Sequence, residues 1–333
     1  MIDFSRARVL VTGGAGFIGS ALVWELNRRG CERIVIADFL ESSEKWRNLA
    51  PLAFEDYLEA DDLLARLASK SLGRFDVVLH MGACSSTTER NAAYLVRNNF
   101  QFTKDLASAA LSSNARFVYA SSAATYGDGS AGMKDDPSLP YLHTLRPLNM
   151  YGYSKQMFDL YAAQRGILDK IAGVKFFNIF GPNEGHKGDM RSLVSKAYEQ
   201  IAETGEIRLF KSYIPEYADG EQKRDFLYVK DAVAMTLHLA ATDGASGLFN
   251  VGSGEANTWI ALANAVFAAL GKQPNIRFID MPEELRAKYQ YFTQADIGRV
   301  RTSGYTAPIT SLVDAVADYV KNYIVPRKHL GDV

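Results

Sequence analysis

The sequence predicts an α/β fold, a doubly wound parallel sheet with a smaller C-terminal α/β lobe, and two patterns carry that expectation. Apolar, β-rich runs alternate with amphipathic stretches through the first two thirds of the chain. Those runs are nearly continuous in apolar residues, as strands must be when helices cover both faces of their sheet.

In chain order, RVLVTG is followed by a helix beginning near Phe17, and then by RIVIAD, FDVVLHMGA, ARFVYASSA and VKFFNIFGP, the last read as one strand. From about Asn183 the rhythm weakens. EIRLF, GLFNVGSG and NIRFID then alternate with helical stretches at 190–204 and 258–270. The expected division is 1–182, joined by a return of 228–252, and 183–333 mainly as a second lobe.

Composition narrows the function. A chain of 333 residues with 47% hydrophobic and 23% charged residues can bury a large core. Its formal charge of -1 gives no pull toward nucleic acid or an anionic membrane. MIDFSRA lacks the apolar core of a signal peptide, and no run reaches the ~18 apolar residues of a membrane span. Cys31 and Cys84 form no CxxC or ligand cluster. A cytoplasmic protein without a metal centre, acting on neither membrane nor nucleic acid, is expected.

VTGGAGFIGS places Gly13, Gly16 and Gly19 between an apolar strand and an amphipathic helix. A dinucleotide pyrophosphate would there meet bare backbone NH groups and a helix N-terminus. RIVIAD ends in Asp38, 19 residues past Gly19, close to the ~20 expected of a carboxylate that holds the adenosine ribose. The sheet is therefore expected to be of the Rossmann type. Asp38 alone favours NAD, because it would repel a 2′-phosphate, whereas Lys45, Arg47 and the turn-forming residues 41–44 nearby would offset that repulsion and admit NADP.

In LNMYGYSKQMFDLYAAQRG, Tyr151 and Lys155 stand four residues apart on a stretch that Asn149 can cap and Gly166 can end. That spacing puts both side chains on one helix face, where an ammonium would lower the pKa of a phenol. ARFVYASSAATYG delivers Ser121 and Ser122 at the carboxyl end of a parallel strand, the edge where such sheets bind ligands. A hydroxyl there can hydrogen-bond the oxygen of a substrate carbonyl.

That order of loop, acid, serine, tyrosine and lysine, with HMGA and RDFLYVKD, resembles the extended short-chain dehydrogenase/reductase family across nearly the whole chain. GACSSTTE (82–89), ASSAATYG (120–127), PLNMYGYSK (147–155), FGPNEGHKG (180–188), KRDFLYV (223–229) and YQYFTQAD (289–296) are similar to its nucleotide-sugar epimerases of the ADP-L-glycero-D-manno-heptose 6-epimerase type. The resemblance implies epimerisation of an ADP-heptose at C6″, through a transient 6″-ketone and re-reduction with tightly bound NADP, in lipopolysaccharide core synthesis. NAD is the alternative cofactor. It also implies a homo-oligomer, with a pentamer as one candidate.

The resemblance makes Tyr151 and Lys187 the two acid/base groups, with Ser122 and Lys155 in support. Its cofactor contacts are Gly13, Gly16, Phe17, Ile18, Gly19, Asp38, Phe39, Lys45, Met81, Gly82, Ala83, Cys84, Ser85, Asn98, Tyr151, Lys155 and Ile179. Its substrate contacts are Ser122, Asn178, Asp189, Lys196, Phe210, Lys211, Ser212, Tyr213, Arg224 and Tyr289. The chain departs from the pattern at Ala60, Asp189 and Lys196, and in the longer stretch SYIPEYADGEQ. Three other readings use the same scaffold: a 4-epimerase, a 4,6-dehydratase and a non-catalytic cofactor sensor. A dehydratase would want an acidic pair where Ala123, Ala124 and Thr125 stand.

Overall fold

In a computed structural model, which describes residues 1–286 and 289–333, the first lobe is built on seven parallel strands. They are β1 (Val9–Thr12), β2 (Ile34–Asp38), β3 (Asp56–Glu59), β4 (Val77–His80), β5 (Arg116–Ser122), β6 (Ala172–Phe176) and, from much later in the chain, Gly247–Val251, which is β10. Their spatial order is β10-β6-β5-β4-β1-β2-β3. The order reverses between β1 and β4, and the crevice at such a switch point is where doubly wound sheets take ligands.

Alternation along the strands explains why they read as continuously apolar. Val9, Val11, Ile34, Ile36, Val77 and Leu79 enter one core. Leu10, Val35, Ala37, Val78, Phe117 and Tyr119 enter the other, on the opposite face. Helices Phe17–Arg28 and Val229–Ala241 pack together on the first face, and Phe102–Ser112 and Met150–Gln164 bury residues in the second.

The run VKFFNIFGP is two strands, not the single one expected. Phe176 ends β6, the Ile179 amide bonds back to the Phe177 carbonyl at 3.0 Å, and Asn178–Phe180 becomes β7 of another sheet. A hydrogen bond spanning two residues is a tight turn, and it lifts the chain out of the first sheet. β7 pairs in parallel with β9 (Lys223–Tyr228), which pairs antiparallel with β11 (Ala256–Thr258). A third sheet joins β8 (Ile207–Phe210) to β12 (Ile276–Ile279). Among the described residues, no helix is long and apolar enough to cross a membrane, and no His/Cys/Asp/Glu group could hold a metal.

Candidate active site

The glycine loop leaves β1 with Gly13 at φ +66°, and a Cβ there would come within 2.6 Å of the Gly82 nitrogen. A Cβ on Gly19 would strike the Gly13 carbonyl oxygen. Side chains are thus excluded where a pyrophosphate would need the backbone. Asp38 Oδ2 accepts the Ala15 and Gly16 amides at 2.9 and 3.1 Å, while Oδ1 accepts the Lys45 ammonium at 3.0 Å. Asp38 therefore braces the loop and carries its own counter-ion. Asn48 ties the same loop to a later segment, donating to the carbonyls of Ala15 (2.9 Å) and Asn183 (3.1 Å).

Above the loop opens a cavity of about 560 Å³. Gly13, Gly16, Phe17, Ile18, Gly19, Asp38, Lys45, Met81, Gly82, Ala83, Cys84, Ser85, Tyr151, Lys155 and Ile179 all line it. The side-chain-free cradle, the helix N-terminus and the acid at the end of β2 fit a nicotinamide dinucleotide. Two expected contacts do not line it. Phe39 offers its amide to Asp38 (2.7 Å) but stays outside the wall, and Asn98 is likewise outside. Its neighbour Asn99 is the structural residue, bonding both the amide and the carbonyl of Cys84 at 2.9 Å, because the local π-helical turn Val96–Gln101 aims that side chain inward. Glu41 and Ser43, from the turn 41–44, line the cavity as well, and so does His186, which was not anticipated. His186 sits in the quoted string EGHKG. Burial, and the ammoniums of Lys45 and Lys187, lower its pKa to about 4, so it is neutral at pH 7.

Asn149 caps the helix Met150–Gln164, its Oδ1 accepting the Gly152 amide at 2.8 Å, and Gly166 closes it at φ +66°. A Cβ on Gly152 would lie 2.6 Å from the Ala124 carbonyl oxygen, so the helix presses on the turn that follows Ser122. Ser122 Oγ accepts the Ala124 amide (3.1 Å) and also faces Tyr151. Burial raises the Tyr151 pKa, Ser122 opposes that rise and Cys84 adds to it. The lowering expected from Lys155 is not found, because desolvation of the phenol dominates. Lys155 itself is buried, which lowers its pKa to about 8 against the pull of Asp159.

A buried hydrogen-bond chain joins the cradle to this helix. Thr12 Oγ1 meets His80 Nδ1 (2.6 Å), and His80 Nε2 meets Thr103 Oγ1 (2.8 Å), which donates to the Asn99 carbonyl (2.7 Å). Asn99 Nδ2 then donates to Ser154 Oγ (3.0 Å), and that hydroxyl to the Tyr151 carbonyl (2.7 Å).

A second cavity of about 480 Å³ adjoins the first. Ser122, Tyr151, Phe176, Phe177, Ile179, Lys187 and Met190 line both, so they stand at the junction. Asn178, Arg224 and Tyr289 line the second cavity as expected, along with Trp259 and Gln290, which were not anticipated. The Arg224 guanidinium lies 5.1 Å from the Tyr289 ring centroid and 5.7 Å from that of Trp259, and Trp259 donates to the Tyr289 hydroxyl at 2.9 Å. This aromatic seat fixes a cation at the cavity wall.

Lys187 rides the short helix Gly185–Met190, and burial lowers its pKa while Glu184 opposes. Glu184 is fully buried and accepts the amide and hydroxyl of Ser192, both at 2.6 Å, which anchors the loop to the next helix.

Six expected substrate contacts line neither cavity. Lys196 Nζ donates to the backbone carbonyl of Asp189 (2.5 Å), which holds the lysine against that loop. Phe210 ends β8, where its carbonyl accepts from Gln222. Lys211 pairs with Asp280 at 3.1 Å, the Ser212 amide bonds Asp219 (2.7 Å), and the Tyr213 hydroxyl donates to Asp280 (3.0 Å). The longer loop draws these side chains toward the β8–β12 sheet and away from the junction.

The model of the NAD dependent epimerase/dehydratase family matches residues 9–252. An ADP-L-glycero-D-manno-heptose-6-epimerase of Nitratidesulfovibrio vulgaris is 52% identical over 316 residues, 95% of this chain and 97% of that protein. One of Fusobacterium nucleatum is 45% identical over 324 residues, 95% and 98% of the two chains. The crystal structure of the Helicobacter pylori ADP-L-glycero-D-manno-heptose-6-epimerase superposes with a TM-score of 0.80 at 25% identity, covering 96% of this chain and 97% of that one. The chain belongs to the NAD dependent epimerase/dehydratase family and groups there with the ADP-L-glycero-D-manno-heptose-6-epimerases.

Proposed function

We propose that this enzyme interconverts the C6″ epimers of ADP-glycero-D-manno-heptose, as part of building lipopolysaccharide core heptose. One observation carries the reading: Tyr151 and Lys187, from different elements, both reach the junction of the dinucleotide-shaped cavity with the second one. The bound nicotinamide supplies the acceptor and donor of one hydride. To invert an exocyclic carbon, opposite faces must be presented to one fixed ring, so its oxygen occupies opposite sides in the two half-reactions. Two proton-transfer groups are then needed. Tyr151 Oη serves the oxygen of one epimer, with Ser122 hydrogen-bonding it, and Lys187 Nζ serves the oxygen of the other. Arg224 on its aromatic seat grips the pyrophosphate of the sugar nucleotide.

In this reading the dinucleotide is NADP. Lys45, which already neutralises Asp38, supplies the positive charge for the 2′-phosphate. Residues 1–182 with 228–252 bind the cofactor, the rest mainly the substrate, and the active form is a cytoplasmic homo-oligomer. Mass spectrometry of the purified, denatured protein should release NADP. Incubation with ADP-D-glycero-D-manno-heptose, followed by proton NMR of C6″, should yield both epimers. Turnover of a UDP-hexose at C4 with none of the heptose would overturn the reading.

A further inference from the structure

One turn beyond Lys155 on its helix lies an ion pair that the mechanism leaves unused. Asp159 and Lys175 are both wholly buried, with Lys175 Nζ 2.5 Å from Asp159 Oδ2. The same carboxylate accepts Ser121 Oγ on Oδ2 and the Tyr119 hydroxyl on Oδ1, each at 2.8 Å. Lys175 also donates to Thr125 Oγ1 at 2.7 Å, and its ammonium lies 5.1 Å from the Tyr126 ring centroid. Two strands thus converge on a single helical carboxylate, and the turn after β5 joins them through Lys175.

Asp159 stands four residues beyond Lys155 on the helix Met150–Gln164, so the two share one face. That helix cannot slide or rotate without breaking bonds to Tyr119 and Ser121 of β5 and Lys175 of β6. Lys155, one turn nearer the junction, is therefore held in register with Ser122, the last residue of β5.

We propose that Asp159 and Lys175 are positioning residues for Lys155, a buried ion pair that seats its ammonium electrostatically and fixes its place against the end of β5. This rests on the reading of Lys155 as part of the catalytic machinery. The charged and titratable groups around Lys155 are few. Tyr151 and Asp159 share its helix, Cys84 follows β4, His80 ends β4, and Lys175 comes from β6. His80 is held neutral by burial. Asp159 is the only carboxylate among them, and Lys175, 2.5 Å from its Oδ2, should offset part of its field. The two partners should then act on Lys155 with opposite sign.

The test is ¹³C NMR of ε-carbon-labelled lysines in the whole protein, with the Lys155 resonance assigned by its loss in Lys155→Met. The wild-type midpoint should lie near about 8. Asp159→Asn should lower it by about one pH unit, and Lys175→Met should raise it by about half a unit. Breaking a buried pair by removing one partner destabilises a fold, so the pairwise variant Asp159→Asn/Lys175→Met, which leaves neither partner charged, is made as well. Its midpoint should fall, by less than in Asp159→Asn, because the carboxylate, on the same helix face as Lys155, is expected to be the stronger of the two influences. The alkaline limb of turnover should move with each midpoint. A midpoint unmoved in the pairwise variant, or moved the same way by both single variants, would overturn the coupling. Full turnover by Lys155→Met would instead overturn the catalytic reading of Lys155 and leave the coupling standing.

Discussion

The Lys187 ammonium lies over the ring of Phe17, 5.1 Å from its centroid. Phe17 is the first residue of the helix that ends the glycine loop, so the EGHKG segment rests directly on the cofactor cradle. This contact presents Lys187 to both cavities at once.

Lys187→Met should lower turnover by about 10²-fold or more with KM changed little, because it removes the proposed proton-transfer group and keeps the aliphatic stem over Phe17. A 6″-aldehyde analogue, oxidised in one molecule and reduced in another, reports the half-reactions without inversion. The variant should be impaired in that assay too. A raised KM with kcat intact would reduce Lys187 to a binding residue.

Tyr151→Phe should fold and bind dinucleotide as wild type does, since the ring stays packed and only the hydroxyl facing Ser122 is lost. Turnover should fall by about 10²-fold or more. Steady-state kinetics beside a dinucleotide titration checks this, and activity within a few-fold of wild type would refute the assignment.

Lys45→Ala should weaken NADP by about ten- to a hundredfold and NAD far less, because only the 2′-phosphate offers the ammonium a second anion besides Asp38. Fluorescence titration with each dinucleotide decides it. Equal losses would mean that Lys45 serves Asp38 alone.

His80 predicts a pH dependence of stability. Buried between Thr12 and Thr103, its pKa falls from 6.5 to about 3, so between those values the unfolded chain binds the proton and the folded chain does not. Stability is present above pH 6.5 and is lost as pH falls toward 3, by about 2 kcal/mol at pH 5 from this group. Asp135, raised to about 6 by burial, acts with the opposite sign. Urea denaturation at pH 7 and pH 5 should therefore be compared between wild type and His80→Gln. The acid loss should be smaller in the variant, and an identical loss would remove His80 from the account.

The cofactor cradle was legible because its constraints are local. Gly13 and Gly19 answer to steric exclusion within a few residues, Asn149 caps the next turn of its own helix, and Asp38 ends its own strand. Residues whose roles depend on tertiary packing were not legible in the same way. His186 reaches the cavity from a loop that Asn48 and Glu184 bond to other parts of the chain, and a π-helical turn gives the inward position to Asn99 rather than Asn98. Resemblance placed Lys211, Ser212 and Tyr213 on the substrate side, but the longer loop 212–222 turns them toward Asp219 and Asp280. The break at Phe177 also escaped periodicity, since both halves of VKFFNIFGP are equally apolar.

One of the two edge strands of the seven, Gly247–Val251, comes late in the sequence, after β7, β8 and β9. A fragment cut at residue 182 would leave β6 with an open backbone edge, a template for pairing with other chains. During synthesis the sheet stays one strand short until residue 251 has left the ribosome, and by then β7, β8 and β9 have been made. The seven-stranded half is thus unsuited to excision or grafting as a module, and chaperone engagement should last until the late strand docks.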